Sequence, residues 1–314
     1  MLSPSRVVAW KAPVAGGAMV DVLQSSSDLL QFLTSDASSN DSVRPPTAHR
    51  HLLIFFPGNP GLVQFYQPFC AYLAANGFDV LVMGYAGHSL TQHNKGRIFS
   101  LTEQIDIADS FVVTLLNKNT ELKYSSNIYI GGHSIGGFVA LQMAVRYSSI
   151  KKCFGLCPVI SHMRESPNGR RLYYLGNAVA QWCLAGASAA LQLLPYRLRL
   201  HLISRSEPRL SRALAEDLAH HFHRWSLMNS LYMAMTEFDM LLQPDAALLR
   251  CVQERLVLYY VKEDGWAPLP HAEEIREICP ELGAYVIEDD AEITHAWCLD
   301  QSEAVARNAI LKHC

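Results

Sequence analysis

Short apolar runs alternate with amphipathic segments along this chain of 314 residues. The runs HLLIFF, FDVLVMGY, NIYIGG and KKCFGLCPVI begin at His51, Phe78, Asn127 and Lys151. Between them lie segments with apolar residues at helical spacing, such as 102–117. Continuous apolar strands separated by amphipathic helices indicate a mostly parallel sheet with helices on both faces. The pattern therefore predicts an α/β fold.

The alternation stops between about residues 162 and 250, where no convincing strand pattern occurs. It resumes with RLVLYYV, a helical segment at 271–278, AYVIED and a final helical segment from about Ser302. A long helical insertion between two sheet strands is the arrangement of a lid over an active site. We predict one domain over 1–314, with a helical cap inserted at 162–250.

Composition excludes some classes of protein. Half of the residues are hydrophobic and 18% are charged, which allows a large core. The formal net charge of -3 argues against a nucleic-acid partner, because phosphate binding needs a concentrated basic surface. The eight cysteines have no repeating spacing and no signal segment is recognisable, so we expect reduced thiols in the cytosol. Cys153 and Cys157 are too isolated for a zinc site, and we expect structural roles for them.

The sequence GGHSIGG lies between a predicted strand and a predicted helix. It contains the G-x-S-x-G pattern of a nucleophile elbow, in which a serine occupies a strained turn between closely packed backbones. The dipole of the following helix favours a developing oxyanion. An incidental serine in a glycine-rich turn is the alternative, but the strand–turn–helix setting favours catalysis. The residues of the elbow are Gly132, His133, Ser134, Ile135 and Gly136.

A serine hydroxyl is a poor nucleophile unless a base removes its proton and an acid orients that base. In an α/β-hydrolase the acid and the histidine follow the serine in that order, each after a strand. Asp264 follows RLVLYYV and His295 follows AYVIED, so we predict the triad Ser134, Asp264 and His295. Glu263 and Asp239 are the competing acids, and the D-x-x-x-P spacing favours Asp264. This chemistry requires no metal ion and no organic cofactor.

The remaining histidines are weaker candidates for the base. His133 is expected to pack within the elbow. His220, His221 and His223 form a cluster that we expect to be solvated rather than ligating. His88 follows the second central strand and is a candidate for lining the site.

Several of these motifs together carry a family resemblance. PGNPG at 57–61, GYAGHS at 84–89, GGHSIGG, EDGWAP and THAW resemble the lipid droplet-associated hydrolase family of the α/β-hydrolase superfamily. The resemblance covers almost the whole chain and implies the same triad. It also implies a lipid esterase or lipase activity, and residence on lipid droplets or the endoplasmic reticulum, at the cytosolic face.

The PGNPG loop is predicted to supply half of an oxyanion hole. Two backbone N–H groups usually form this hole, from the residue after the nucleophile, here Ile135, and from the loop after the first central strand. The two prolines of the loop have no N–H to donate. The donor is therefore Gly58, Asn59 or Gly61, and Asn59 is our choice because it directly follows the strand-ending Pro-Gly.

Residues 172–194 contain no charged residue across 23 positions, and arginines flank the run on both sides. That length could span a bilayer, but the polar residues and glycines in it make it only moderately apolar. The alternatives are a buried pair of lid helices, a hairpin or amphipathic helix lying in a phospholipid monolayer, and a spanning helix, which is the least favoured. With the resemblance added, we favour insertion into the membrane surface. The same apolar cap would form an acyl-chain pocket above Ser134.

We therefore predict a serine hydrolase that acts on lipid esters, such as cholesteryl ester or acylglycerol, at a droplet surface. One alternative is a lipid-droplet binding or structural protein with little turnover. The other is a soluble short-chain esterase or thioesterase.

Overall fold

The computed structural model describes residues 8–25, 51–91, 94, 96–118, 127–175 and 178–314. The strands found there form one sheet in the order β1-β2-β4-β3-β5-β6-β7-β8. Strands β3 to β8 run parallel to one another. Strands β1 and β2 form an antiparallel pair, and β2 also pairs antiparallel with β4. The predicted α/β fold class is confirmed. The strands are β1 Val8–Pro13, β2 Met19–Gln24, β3 His51–Phe56, β4 Phe78–Met83, β5 Ile128–His133, β6 Lys152–Leu156, β7 Leu256–Glu263 and β8 Val286–Thr294.

The central strands are apolar on both sides because helices cover both faces of the sheet. Along β3, Leu52, Ile54 and Phe56 belong to one buried cluster. Leu53 and Phe55 belong to the cluster on the opposite face. Since side chains of a strand alternate between its two faces, a continuous apolar run is required wherever both faces are buried.

Helices occupy the segments between the strands, and a group of helices separates β6 from β7. In chain order they are α1 Gln67–Ala75, α2 Leu101–Lys118, α3 Ile135–Arg146, α4 Pro167–Leu175, α5 Ala178–Leu191, α6 Tyr196–Ser206, α7 Arg212–His221, α8 Arg224–Met240, α9 Ala246–Val252, α10 Leu269–Ile278 and α11 Ser302–Val305. We call Pro167–Val252, which holds α4 to α9, the helical insertion. Its described residues contain no strand.

Helix α8 is one part of the insertion that is hydrogen-bonded to the rest of the molecule. The side-chain oxygen of Asn229 accepts a hydrogen bond from the Phe99 N–H at 3.0 Å, and the Leu101 N–H donates to the Thr236 hydroxyl at 2.9 Å. The Asn229 amide also donates to the Arg97 carbonyl at 3.0 Å. These contacts satisfy backbone groups at the start of α2, so α8 replaces water there.

Helix α6 differs because it buries none of its residues. Leu198 and Leu202 are exposed, and Leu193 just before the helix is 86% exposed. Residues 176 and 177 and several other side chains of 172–194 lie outside the described residues, so insertion of that segment into a membrane surface stays a prediction. Within the described part of the chain, no helix is long and apolar enough to cross a membrane.

The eight cysteines all fall within the described residues, and all are free thiols. Cys183, Cys251 and Cys314 are exposed, and the other five are buried. The histidine cluster is predicted correctly only in part. His220 and His221 are exposed, but His223 is buried, because its ring caps α8 by accepting from the Ser226 N–H.

Candidate active site

Ser134 lies at the turn between β5 and α3, with φ 56° and ψ -123°. This is a strained conformation for a residue with a side chain. The flanking glycines are required by contact. A Cβ on Gly132 would lie 1.9 Å from the Gly136 carbonyl oxygen, and one on Gly136 would lie 2.2 Å from the Phe56 carbonyl oxygen. The Ser134 N–H donates to the Leu156 carbonyl of β6 at 3.0 Å, which holds the turn against the sheet.

Ser134, His295 and Asp264 are joined by hydrogen bonds. Asp264 directly follows β7 and His295 directly follows β8, and these two strands are parallel neighbours. Their carboxyl ends therefore meet at the same edge of the sheet. The distance from His295 Nε2 to Ser134 Oγ is 3.0 Å, and that from His295 Nδ1 to Asp264 Oδ2 is 2.7 Å.

Asp264 is held by three hydrogen bonds, one from His295 to Oδ2 and two from backbone N–H groups to Oδ1. Its Oδ1 accepts from the Trp266 N–H at 2.7 Å and from the Ala267 N–H at 2.9 Å. Burial alone would raise the pKa of Asp264, but His295 and the two N–H groups outweigh it and lower the pKa. The competing acids Glu263 and Asp239 are exposed and have no such contacts to His295.

His133 connects the elbow to the loop at 57–61 by a directed chain of hydrogen bonds. The His295 carbonyl can only accept, so His133 Nε2–H donates to it at 2.8 Å. His133 Nδ1 then accepts from the Tyr66 hydroxyl at 2.7 Å, and the Tyr66 oxygen accepts from the Gly58 N–H at 2.8 Å. Burial lowers the pKa of His133 to about 3, with the His295 charge contributing. His133 is therefore neutral and buried within the elbow.

The loop at 57–61 passes directly against the nucleophile. A Cβ on Gly58 would lie 3.0 Å from the Ser134 Cβ. The Gly58 N–H is taken by Tyr66, and the Gly61 N–H donates to the Gly58 carbonyl at 2.6 Å. Within the described residues, the backbone N–H groups of Asn59 and Ile135 donate to no protein group. These are the two groups predicted as oxyanion donors.

His88 does not line the site, in contrast to what its position suggested. It is buried behind the loop, where its Nδ1–H donates to the Pro60 carbonyl at 2.9 Å. Burial lowers the pKa of His88 to about 4, so the ring is neutral.

A cavity of about 610 Å³ opens above Ser134, between the sheet loops and the helical insertion. Most of its wall is apolar. The body contributes Phe65, Val159 and Leu299, and the insertion contributes Leu172, Leu218 and Leu231. The apolar wall can exclude water from the reacting atoms and accept a hydrocarbon chain.

Two polar residues of the site carry no recognisable motif. Tyr66 follows the PGNPG loop, and Glu237 lies in α8 with 2% of its surface exposed, in the cavity wall. Burial raises the pKa of Glu237 to about 8. A charged residue among the buried apolar residues of α8, such as Ala234 and Phe238, was a usable signal. Nothing in the local sequence marked Tyr66.

A metal ion could in principle use three side chains of this site. The ligand atoms of Cys157, Asp264 and His295 lie within 4.8 Å of one another. The hydrogen bond between Asp264 and His295 already occupies two of these atoms. The donor set therefore fits a hydrogen-bonded triad better than a metal centre.

The sequence matches a known protein family. The model of the lipid-droplet associated hydrolase family matches residues 49–298. The chain belongs to this family. It is a hydrolase of the α/β-hydrolase fold. The predicted resemblance is confirmed.

Curated relatives extend the match over most of the chain. The lipid droplet-associated hydrolase of Rattus norvegicus is 27% identical over 276 residues, covering 82% of both chains. That of Homo sapiens is 26% identical, covering 93% of this chain and 91% of its own. That of Drosophila melanogaster is 27% identical, covering 84% and 90%.

Solved structures share the fold at low sequence identity. The haloalkane dehalogenase DbeA of Bradyrhizobium elkani is 14% identical, covers 96% of both chains and superimposes with a TM-score of 0.61. A thioesterase domain of the curacin biosynthetic pathway is 13% identical, with a TM-score of 0.57, covering 96% of this chain and 98% of its own. Their chemistries differ, so the likeness concerns the fold.

Proposed function

We propose that this hydrolase is a serine carboxylic-ester hydrolase that acts on lipid esters at a lipid-droplet surface. The observation that carries the proposal is the hydrogen-bonded chain Ser134–His295–Asp264 at the floor of a largely apolar cavity. Ester hydrolysis by a serine needs a nucleophile, a base and an orienting acid in that order. An apolar cavity wall suits the hydrocarbon chains of a neutral lipid.

In the proposed mechanism, Ser134 Oγ attacks the ester carbonyl while His295 Nε2 takes the hydroxyl proton. Asp264 accepts from His295 Nδ1–H, which fixes the tautomer and stabilises the imidazolium. His295 then gives its proton to the leaving alcohol, and an acyl-enzyme forms on Ser134. Water, with His295 again as the base, releases the fatty acid.

The N–H groups of Asn59 and Ile135 stabilise the tetrahedral oxyanion in this proposal. Support comes from the other donors of the loop, which are engaged, as Gly58 donates to Tyr66. Ile135 is the first residue of α3, so its N–H lies at the positive end of the helix dipole. The tight approach of Gly58 to Ser134 brings the loop to the reacting carbonyl.

The droplet surface enters the proposal through the helical insertion. We assign contact with the phospholipid monolayer to residues 172–194, which include the exposed Leu193, and to the exposed Leu198 and Leu202 that follow. Arg197 and Arg205 are exposed beside them and suit anionic or zwitterionic head groups. Residence at the cytosolic face of droplets and of the endoplasmic reticulum belongs to the same proposal.

Fluorophosphonate labelling and fatty-acid release test the activity. The wild type is expected to label and to release oleate from emulsified triolein or cholesteryl oleate, and Ser134→Ala to do neither. Equal labelling of both proteins, or none of the wild type, would contradict the serine mechanism. Wild-type labelling with release from short-chain esters alone would favour a soluble esterase.

Droplet imaging tests the location independently of turnover. A variant with Asp in place of both Leu198 and Leu202 is expected to leave the droplet surface while retaining fluorophosphonate labelling. Ala in place of Glu216, a half-exposed residue of α7, is the surface control. Unchanged droplet staining of the double variant would refute contact through this surface.

A further inference from the structure

Glu237 is a buried carboxyl group that the proposed mechanism does not use. It projects from α8 into the wall of the cavity that contains Ser134. Its Oε1 accepts from the Asn59 side-chain amide at 3.3 Å, and that amide also donates to the Ser230 carbonyl at 2.8 Å. Among the described residues, no basic side chain pairs with Glu237.

The hydrogen bond from Asn59 decides where the proton of a neutral Glu237 resides. Because Oε1 accepts an N–H, the proton belongs on Oε2, which has no hydrogen-bond partner in the described part of the protein. Burial holds the group in this neutral form near pH 7, since its pKa is raised to about 8. The carboxyl group thus presents an O–H donor in a wall that is otherwise mostly apolar.

The position of Asn59 ties this donor to the reacting centre. Asn59 offers its backbone N–H as the proposed oxyanion donor, and its side chain contacts Glu237. A substrate group that meets Glu237 therefore lies within a few bonds of the scissile carbonyl. Glu237 lines the cavity, so a substrate oxygen that enters it can accept a hydrogen bond from this O–H.

We propose that Glu237 and Asn59 form a polar subsite that binds a hydroxyl group of the substrate next to the scissile ester. The inference rests on the proposed ester hydrolysis and narrows its substrate class. The class is lipid esters with a free hydroxyl beside the ester, either on the alcohol, as in partial glycerides, or on the acyl chain, as in 2-hydroxyacyl esters. Fully apolar esters leave the donor unpaired and react more slowly.

Matched esters test this subsite. 1-Monooleoylglycerol and propyl oleate share the acyl chain and a three-carbon alcohol, and they differ in two hydroxyl groups. Propyl 2-hydroxyoleate places the hydroxyl on the acyl side. The wild type is expected to have a kcat/KM about tenfold higher for at least one hydroxyl ester than for propyl oleate, which corresponds to one satisfied buried donor.

Variants of Glu237 identify the group responsible. Glu237→Leu is expected to bring that ratio close to one, whereas Glu237→Gln, whose amide still donates, retains most of it. Glu207→Leu removes a carboxylate that also lines the cavity but is paired with Arg209, and it should leave the ratio unchanged. A ratio that survives in Glu237→Leu, or a wild type that prefers propyl oleate, overturns the subsite.

A binding measurement separates failure of the subsite from failure of the proposed hydrolysis. The non-hydrolysable ethers 1-O-oleylglycerol and oleyl propyl ether are titrated into Ser134→Ala, with and without Glu237→Leu, following tryptophan fluorescence, since Trp266 lines the cavity. About tenfold tighter binding of the glycerol ether, lost with Glu237→Leu, supports the alcohol-side subsite even if no ester is turned over. Equal affinities, together with no preference for propyl 2-hydroxyoleate, overturn it even if Ser134 labels normally.

Discussion

The cavity has two walls that are built in different ways. The wall from the sheet loops carries Ser134, His133 and His295, and hydrogen bonds close to the strand ends hold their side chains. The wall from the helical insertion is mostly apolar, and Glu237 is its buried acid. The first wall can hold reacting atoms in a fixed geometry, whereas the second decides what surrounds them.

This difference suggests that the loop wall determines the rate of the reaction, whereas the insertion wall determines which substrate is preferred. Changes in the loop wall should alter the rate for every substrate, because they disturb the transition state. Changes in the insertion wall should alter which substrate or surface is preferred. The following variants are ordered by the size of the effect that we expect.

Ser134→Ala and Asp264→Asn give the largest effects. We expect each to lower kcat by about 10³-fold or more, because the nucleophile or the orientation of His295 is lost. Droplet localisation of both variants should equal that of the wild type. A drop in kcat of less than tenfold in Asp264→Asn would show that Asp264 does not orient the base.

Tyr66→Phe removes the hydroxyl between His133 and Gly58. Two buried groups, the His133 Nδ1 and the Gly58 N–H, then lose their partner, so we expect a loss of about 1–3 kcal/mol in the free energy of unfolding. We also expect kcat to fall by about tenfold for all esters alike. Tyr72→Phe is the control, because the Tyr72 hydroxyl accepts a hydrogen bond from Arg307 at the surface. This substitution should cost under about 0.5 kcal/mol. Substrate-dependent losses in Tyr66→Phe would break the separation of the two walls.

Glu237 gives stability a distinctive pH dependence. Its folded pKa, about 8, lies above the ordinary value of 4.5, so the folded protein keeps a proton that the unfolded chain releases. The stabilisation by this group is complete below about pH 4.5 and is lost as the pH rises to about 8, at up to about 1.4 kcal/mol per pH unit. Relative to Glu237→Gln, the wild type should therefore lose stability over this window in denaturant titrations. Parallel pH profiles of the two proteins would contradict a neutral buried acid.

Comparing the stability of Asn229→Ala with that of Leu198→Ser tests whether α8 is bound to the body more firmly than α6. The first variant leaves the Phe99 N–H of the body unpaired and should cost about 1–3 kcal/mol in unfolding free energy. The second changes an exposed side chain of α6 and should stay within about 0.5 kcal/mol. Chemical denaturation of both proteins measures the difference, and equal losses would mean that α8 does not fasten the insertion.

Sequence reasoning recovered the features that short segments encode. The strands, the elbow around Ser134 and the order of Ser134, Asp264 and His295 depend on local patterns and on chain order in a parallel sheet. Distant contacts were not accessible in this way. The amide of Asn59 reaches the carbonyl of Ser230 across 171 positions, and no local pattern predicts which groups meet there. For the same reason His223, expected in solvent, was not recognised as a buried cap.

Tertiary packing also determined what the loop at 57–61 can offer. Proline has no N–H, so the sequence left Gly58, Asn59 and Gly61 as donors, and Asn59 was preferred for its position alone. Engagement of Gly58 by Tyr66 and of Gly61 within its own turn distinguishes them. The proposed role of Asn59 therefore depends on Tyr66, a residue outside the loop.

The exposed thiol of Cys183 lies in the segment that we propose contacts the phospholipid monolayer, so a dye on it can report that contact. Burial raises the pKa of Cys153 and Cys298 to about 12, so such thiols resist alkylation, whereas Cys183 is exposed on α5. With serine at positions 251 and 314, a solvatochromic maleimide would couple at Cys183 alone among the exposed thiols. Its emission colour would then follow in real time whether the segment at 172–194 sits in water or among phospholipids, while the chemistry at the floor of the cavity continues undisturbed.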